Sequence, residues 1–146
     1  MKRMLGLIIS LVLAAVLLTG CGDETGLQDG YYTAQAADYH HGWKEYITIM
    51  VKGGSIVSVE YNAMNSSGFI KSWDNAYMQT MFHSTGTYPN EYTRFYAGQL
   101  LDGQGEGGID ALTGASSSYG SFQKLAAAVL DQARKGDSGI VTVNTQ

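Results

Sequence analysis

The chain has one cysteine, one proline, three histidines and 9 basic residues against 13 acidic ones. A single thiol excludes an internal disulfide framework and a multi-cysteine metal centre. The formal net charge is −4, and it falls to −6 if Lys2 and Arg3 leave with a leader. Such a surface excludes nucleic acid as a partner, because binding there needs clustered Lys and Arg to replace phosphate counterions. No apolar run reaches the roughly 20 residues of a membrane-spanning helix, since the longest, Met4 to Leu18, is short and contains Ser10. Gly-x-x-x-x-Gly-Lys-Ser/Thr and Gly-x-Ser-x-Gly are both missing.

The amino terminus supplies what those absences leave room for. Lys2 and Arg3, an apolar core and Leu18-Thr19-Gly20-Cys21 have the order of an export signal. The last four residues resemble the bacterial lipobox, whose cysteine becomes the acylated first residue of the mature protein. The reading is a signal peptide over 1–20, a lipid-bearing Cys21 and a polar tether over 21–29, followed by one domain over 30–146. Two or three acyl chains on Cys21 would hold it stably on a membrane of the cell envelope.

From Gly30 the pattern is that of strands. Tyr32, Ala34 and Ala36 alternate with polar neighbours, and Ile47, Ile49 and Val51 share one face of the next run. Val57, Val59 and Tyr61 repeat the alternation after Gly53-Gly54, which predicts a hairpin. Trp73, Tyr77 and Met81 recur at helical spacing behind Ser72 or Asp74 as a cap, with Gly86 as the stop. Pro89 opens a second helix with Tyr92, Phe95, Tyr96 and Leu100 on its apolar face. Phe122, Leu125, Ala126, Val129, Leu130 and Ala133 define a third, closed by Gly136, with Asp131 placed to pair with Lys135. Ile109 to Leu112 reads as a brief strand and Ile140–Val143 as another. The expectation is an α+β fold, an antiparallel hairpin-based sheet packed against about three helices.

Between the second and third helices runs a stretch of small hydroxylated residues, Thr113-Gly114-Ala115-Ser116-Ser117-Ser118. Free amides at a helix start, with little side chain in the way, suit an anion such as a phosphate. The same residues also fit an ordinary serine-rich cap, and the residues alone leave both open.

Asp110-Ala-Leu-Thr113-Gly114-Ala115-Ser116-Ser117-Ser118 resembles the flavinylation signature of the bacterial FMN-binding domain family. That signature is Asp, two residues, Ser/Thr-Gly-Ala-Thr/Ser, any residue, then Thr or Ser. The family is related to the flavin-bearing subunits of the sodium-translocating NADH:quinone reductase and Rnf complexes. Asp29-Gly30-Tyr31-Tyr32, Gly42-Trp43 and the Gly68–Tyr77 stretch with Met81 are similar to its short lipoprotein branch. The resemblance implies FMN as cofactor, placed by a flavin transferase from FAD with Mg²⁺ as a phosphoester on the last hydroxyl of the motif, here Ser118. It implies that Thr113, Gly114, Ala115, Ser116 and Ser117 cradle the group, with Asp110 organising the loop through its oxygens. It further implies an electron carrier without turnover of its own, served by a membrane donor and an external acceptor. Serine stands at two places where the family usually has threonine, so some relatives' noncovalent mode of holding FMN stays open, with Ser116 and Ser117 as neighbouring acceptors. A non-redox ligand-binding envelope lipoprotein and a serine hydrolase are the rival readings.

Other signals are weaker. Gly103-x-Gly105-x-x-Gly108 follows a helix where a dinucleotide fingerprint follows a strand. His40 and His41 on one strand would face opposite ways, which is poor for joint metal ligation. Met78 and Met81 read as core filler, Lys71 as a solvent-facing cation or a charge near the reduced N1 region of a flavin, and Asn65-Ser66-Ser67 as a sequon without use in a bacterial protein. Trp43, Trp73, Tyr77 and Tyr119 are the candidates to pack on an isoalloxazine ring.

Overall fold

A computed structural model describes residues 26–146. The expected signal peptide, Cys21 and the first part of the tether lie outside the described residues. Three long strands come first: β1 (Gly30–Ala36), β2 (Lys44–Lys52) and β3 (Ser55–Met64). A 3-10 turn (Lys71–Trp73) leads into α1 (Asn75–Thr85), α2 (Pro89–Asp102) and α3 (Ser116–Lys135), and β4 (Ile140–Val143) closes the chain. The sheet order is β3-β2-β1-β4, with β4 parallel to β1 and the other pairs antiparallel. This is the expected α+β architecture.

The β2–β3 hairpin turns at Gly53 and Gly54, whose φ values of +61° and +75° suit a two-residue primed turn. Its register is not the simple alternation of the sequence. Val51 pairs with Ile56, but Met50 pairs with Ser58, so Val57 is the extra residue of a bulge. Ile56 therefore takes the core position expected of Val57, which stands 48% exposed. Beyond the bulge the phase recovers, and Tyr61 is buried as expected.

One face of the sheet carries Tyr32, Ala34, Ile47, Ile49, Val51, Ile56 and Tyr61 into the core. Tyr92, Tyr96 and Leu100 of α2 and Phe122, Leu125 and Val129 of α3 close over it. Phe95 stays at the rim, 38% exposed. α3 bears the longest apolar face, and its Asp131–Lys135 pair forms as expected. α1 differs: Asp74 caps it by accepting the Tyr77 amide at 3.0 Å, yet it buries no residue fully. Trp73 belongs to the 3-10 turn and points into solvent, so the expected apolar face shrinks to Tyr77 and Met81. Ile109 to Leu112 pairs with no strand and crosses the helices as an extended loop.

The last residues of the expected tether are docked on the domain. Leu27 packs against the core, and Gln28 donates its amide to Ala133 O (2.9 Å) and its side-chain nitrogen to Arg134 O (3.2 Å). Those carbonyls belong to the last turn of α3, which the helix leaves without internal donors. Asp29 accepts from the Gly54 amide at 3.0 Å, and hydrogen bonds from Gly53 and Gly54 hold its carboxyl below the ordinary range.

Candidate functional site

The first turn of α3 is the centre of the candidate site. Gly114 adopts φ +85°, and a β-carbon on it would stand 2.4 Å from the Thr85 carbonyl oxygen and 3.0 Å from Thr87 Cγ2. Only glycine allows the loop to lie this close to the end of α1. Ala115 follows at the cap position, buried and unable to accept an amide, so no side chain caps the helix. The first-turn amides of Ser116, Ser117 and Ser118 are thus left without a capping side chain, at the positive end of the helix dipole.

The loop leading to this turn is held from below by α2. The Leu112 amide donates to Tyr96 Oη (3.2 Å), and that hydroxyl donates to Ala115 O (3.3 Å). Gln99 brackets the Asp110 backbone, accepting from its amide at 2.7 Å and donating to its carbonyl at 3.3 Å. The Tyr119 hydroxyl donates to Ile109 O at 2.9 Å. Asp110 is exposed, and among the described residues its carboxylate takes no hydrogen bond from the loop. The ordering expected of its side chain is done by Gln99 and Tyr96.

Two clefts meet at this turn. The smaller, about 180 Å³, is lined by Gly114, Ala115, Ser117 and Ser118 on one side and by Lys71, Tyr77, Met81, Tyr92, His40 and His41 on the other. The larger, about 300 Å³, has Trp43 in its wall with Asp38, Glu45, Ser121 and the chain end at Thr145 and Gln146. His40 and Ser117 line both. Of the residues expected at the site, four line the smaller cleft, Ser116 is exposed beside it on the first turn, and Thr113 and Asp110 stand outside. Ser118 is only 9% exposed, and its hydroxyl lies beside the phenols of Tyr61 and Tyr92.

Tyr61, Tyr92 and Glu45 reached the site without having been expected there. The Tyr61 hydroxyl bridges Glu45 Oε1 (2.8 Å) and Ser118 O (3.0 Å), and burial pushes its pKa well up. Tyr92, 1% exposed, is also raised, first by burial. Both are indistinguishable from core aromatics in the sequence. Lys71 is half-buried, with its ammonium 4.7 Å from the Tyr77 ring centroid. Burial lowers its pKa, and Tyr92 and Tyr77 more than offset that, so it is raised overall. Asn62 sets its position: the side-chain nitrogen donates to Ser72 Oγ at 2.8 Å and locks the 3-10 turn onto β3. Ser72 is therefore an anchor, and Asp74 alone caps α1.

Among the ring candidates, Trp43 and Tyr77 reach the clefts and touch edge-on at 6.0 Å. Trp73, 68% exposed, and Tyr119 line neither. His40 and His41 sit in a tight turn, with His41 at φ +51° and Gly42 at φ +84°. Their rings are 4.1 Å apart, so they converge on the cleft rim instead of facing opposite ways. Among the described residues no group of three His, Cys, Asp or Glu side chains could hold a metal ion, and no helix is long and apolar enough to cross a membrane.

Fold and site together define a small two-layer α+β domain with an uncapped, hydroxyl-bearing helix start opening on a cleft. No family model matches the chain. It is 35% identical over 124 residues to the 15 kDa lipoprotein of Treponema pallidum (strain Nichols), covering 84% of this chain and 87% of that one. A crystal structure of a Clostridium perfringens protein superposes with a TM-score of 0.75 at 35% identity, over 81% of this chain and 98% of that one. A solution structure of a Clostridium thermocellum protein gives 0.51 at 31% identity, over 73% and 92%. The chain belongs to the bacterial lipoprotein family that includes the Treponema protein.

Proposed function

We propose that the protein is a lipid-anchored FMN-binding electron carrier working on the extracytoplasmic side of a membrane. The observation that carries the reading is that Ser118 and the open amides of the first turn of α3 share one cleft with a cation, Lys71. That cleft suits the phosphoryl end of a flavin nucleotide. The larger cleft does not, because Asp38 and Glu45 would repel an anion, whereas Trp43 and a volume of about 300 Å³ suit a flat apolar ring. The two adjoin at His40 and Ser117, so one ligand can span both.

FMN would supply one- and two-electron chemistry, and the chain would hold and orient it. Gly114 gives close approach, the first-turn amides would donate to the phosphoryl oxygens, and Ser118 is the hydroxyl available for a phosphoester made by a flavin transferase from FAD, with AMP as the leaving group. A cofactor bonded in this way is not lost by diffusion outside the cytoplasm. The anchor on Cys21 keeps the domain near a membrane donor and raises its local concentration, with an external protein as acceptor.

The test is co-expression of the full chain with a flavin transferase, followed by intact-mass measurement under denaturing conditions. An FMN-sized increment is expected, and Ser118→Ala abolishes it. Yellow colour that dissociates on denaturation would indicate a noncovalent flavoprotein. A colourless protein with no added mass would sink the reading in favour of a non-redox binding lipoprotein.

A further inference from the structure

Lys71 presents a puzzle of charge balance. Its side chain is partly withdrawn from water, and its ammonium rests over the Tyr77 ring. Among the described residues the one ion pair is Lys135–Asp131, so Lys71 has no carboxylate to neutralise it. Withdrawing an unpaired cation from water is costly unless a counter-charge arrives. The Asn62–Ser72 hydrogen bond nevertheless fixes the turn that carries it, which argues against an incidental placement.

The facing wall supplies the complement. The first turn of α3 presents amides and the Ser118 hydroxyl, all suited to an anion and none carrying a full charge. Tyr92 lies between the two walls, with its hydroxyl beside both Lys71 and Ser118 and its ring buried in the core. A buried ring cannot swing away, so this hydroxyl is held at the cleft wall, where it can donate to a ligand. The carboxylates of this region, Asp38 and Glu45, line the neighbouring cleft; Glu45 reaches the Ser118 side through the Tyr61 hydroxyl, and its charge contributes to raising Tyr92.

We infer that Lys71 and Tyr92 form the second half of a phosphoryl site, facing the first turn of α3 across the cleft, and that they select phosphorylated flavin over riboflavin. This rests on the flavin reading and adds to it the residues that recognise the phosphate. A neutral ligand would leave the ammonium uncompensated, whereas a phosphate brings the missing negative charge and takes hydrogen bonds from both walls.

The experiment titrates FMN and riboflavin, each by flavin fluorescence quenching, against the detergent-solubilised full chain before any contact with a transferase. Lys71→Gln is expected to weaken FMN binding about 10- to 100-fold, the size of one charge-assisted contact, and to leave riboflavin binding unchanged. Lys71→Arg should recover most of the loss, and Tyr92→Phe should cost about 3- to 10-fold for FMN alone. Equal losses for both ligands, or unchanged FMN binding in Lys71→Gln, overturns the inference. If the wild-type chain binds neither flavin and gains no mass with the transferase, the flavin reading itself has failed. If it binds or is modified and Lys71→Gln is indifferent, only the inference has failed.

Discussion

Gly114 and Gly120 sit six residues apart and should answer the same substitution in opposite ways. At Gly114 a β-carbon meets the Thr85 carbonyl at 2.4 Å in a left-handed backbone, so Gly114→Ala is expected to cost at least about 2 kcal/mol. Gly120 lies within α3 and a β-carbon there meets nothing within 4 Å, so Gly120→Ala should add about 0.5–1 kcal/mol. Urea unfolding of the two variants checks both signs. The buried phenols set the alkaline limit. Tyr61 and Tyr92 are raised above their ordinary pKa of about 10 by burial, so the unfolded chain gives up their protons first. Stability should be fully present below about pH 10 and fall as pH rises through the higher folded values. Thermal melts between pH 8 and 11 should show that decline, and Tyr61→Phe should reduce its steepness.

At the scale of elements, α3 and α1 are opposites. α3 buries Phe122, Leu125, Val129 and Ala133 completely, and Leu125→Ala is expected to cost about 2–5 kcal/mol. α1 buries no residue fully and depends on its Asp74 cap and its contact with the 3-10 turn. Its amides should exchange with solvent through local opening, well before those of α3, in a native-state hydrogen-exchange experiment. Equal protection of the two helices would contradict this. Because α1 supplies Tyr77 and Met81 to the cleft wall, its opening would also widen the cleft.

At the scale of the molecule, the tether and the cleft are attached to opposite ends of one helix. Gln28 caps the last turn of α3, and the cleft opens at its first. With 20 residues, α3 separates them by about 30 Å. The domain thus meets its tether at one end and presents its candidate site at the other, which would suit the proposed electron exchange with a partner approaching away from the tether. A chain that begins at Leu27 is the reference against which the docked segment's effect on the melting temperature is read. Removing Leu27 to Asp29 from it should lower that temperature by several degrees, because the last carbonyls of α3 lose their donors.

The alternation in β1 and β2, the glycine turn, the third helix and the small-residue run before it were all legible in the amino-acid order, because each is a local pattern with a period or a stop signal. Tertiary structure decided the rest. The bulge at Val57 depends on pairing with Met50 and Val51, and the exposure of Trp73 depends on what the 3-10 turn packs against. The loop's restraint falls to Gln99 and Tyr96, not to the carboxylate of Asp110, because α2 happens to pass beneath it. Lys71, Tyr92 and Glu45 lie on three different elements, and no spacing along the chain records that they surround Ser118. Local sequence sets conformation within a few residues. Which charges and hydroxyls become neighbours is fixed only when the sheet and helices close on one core.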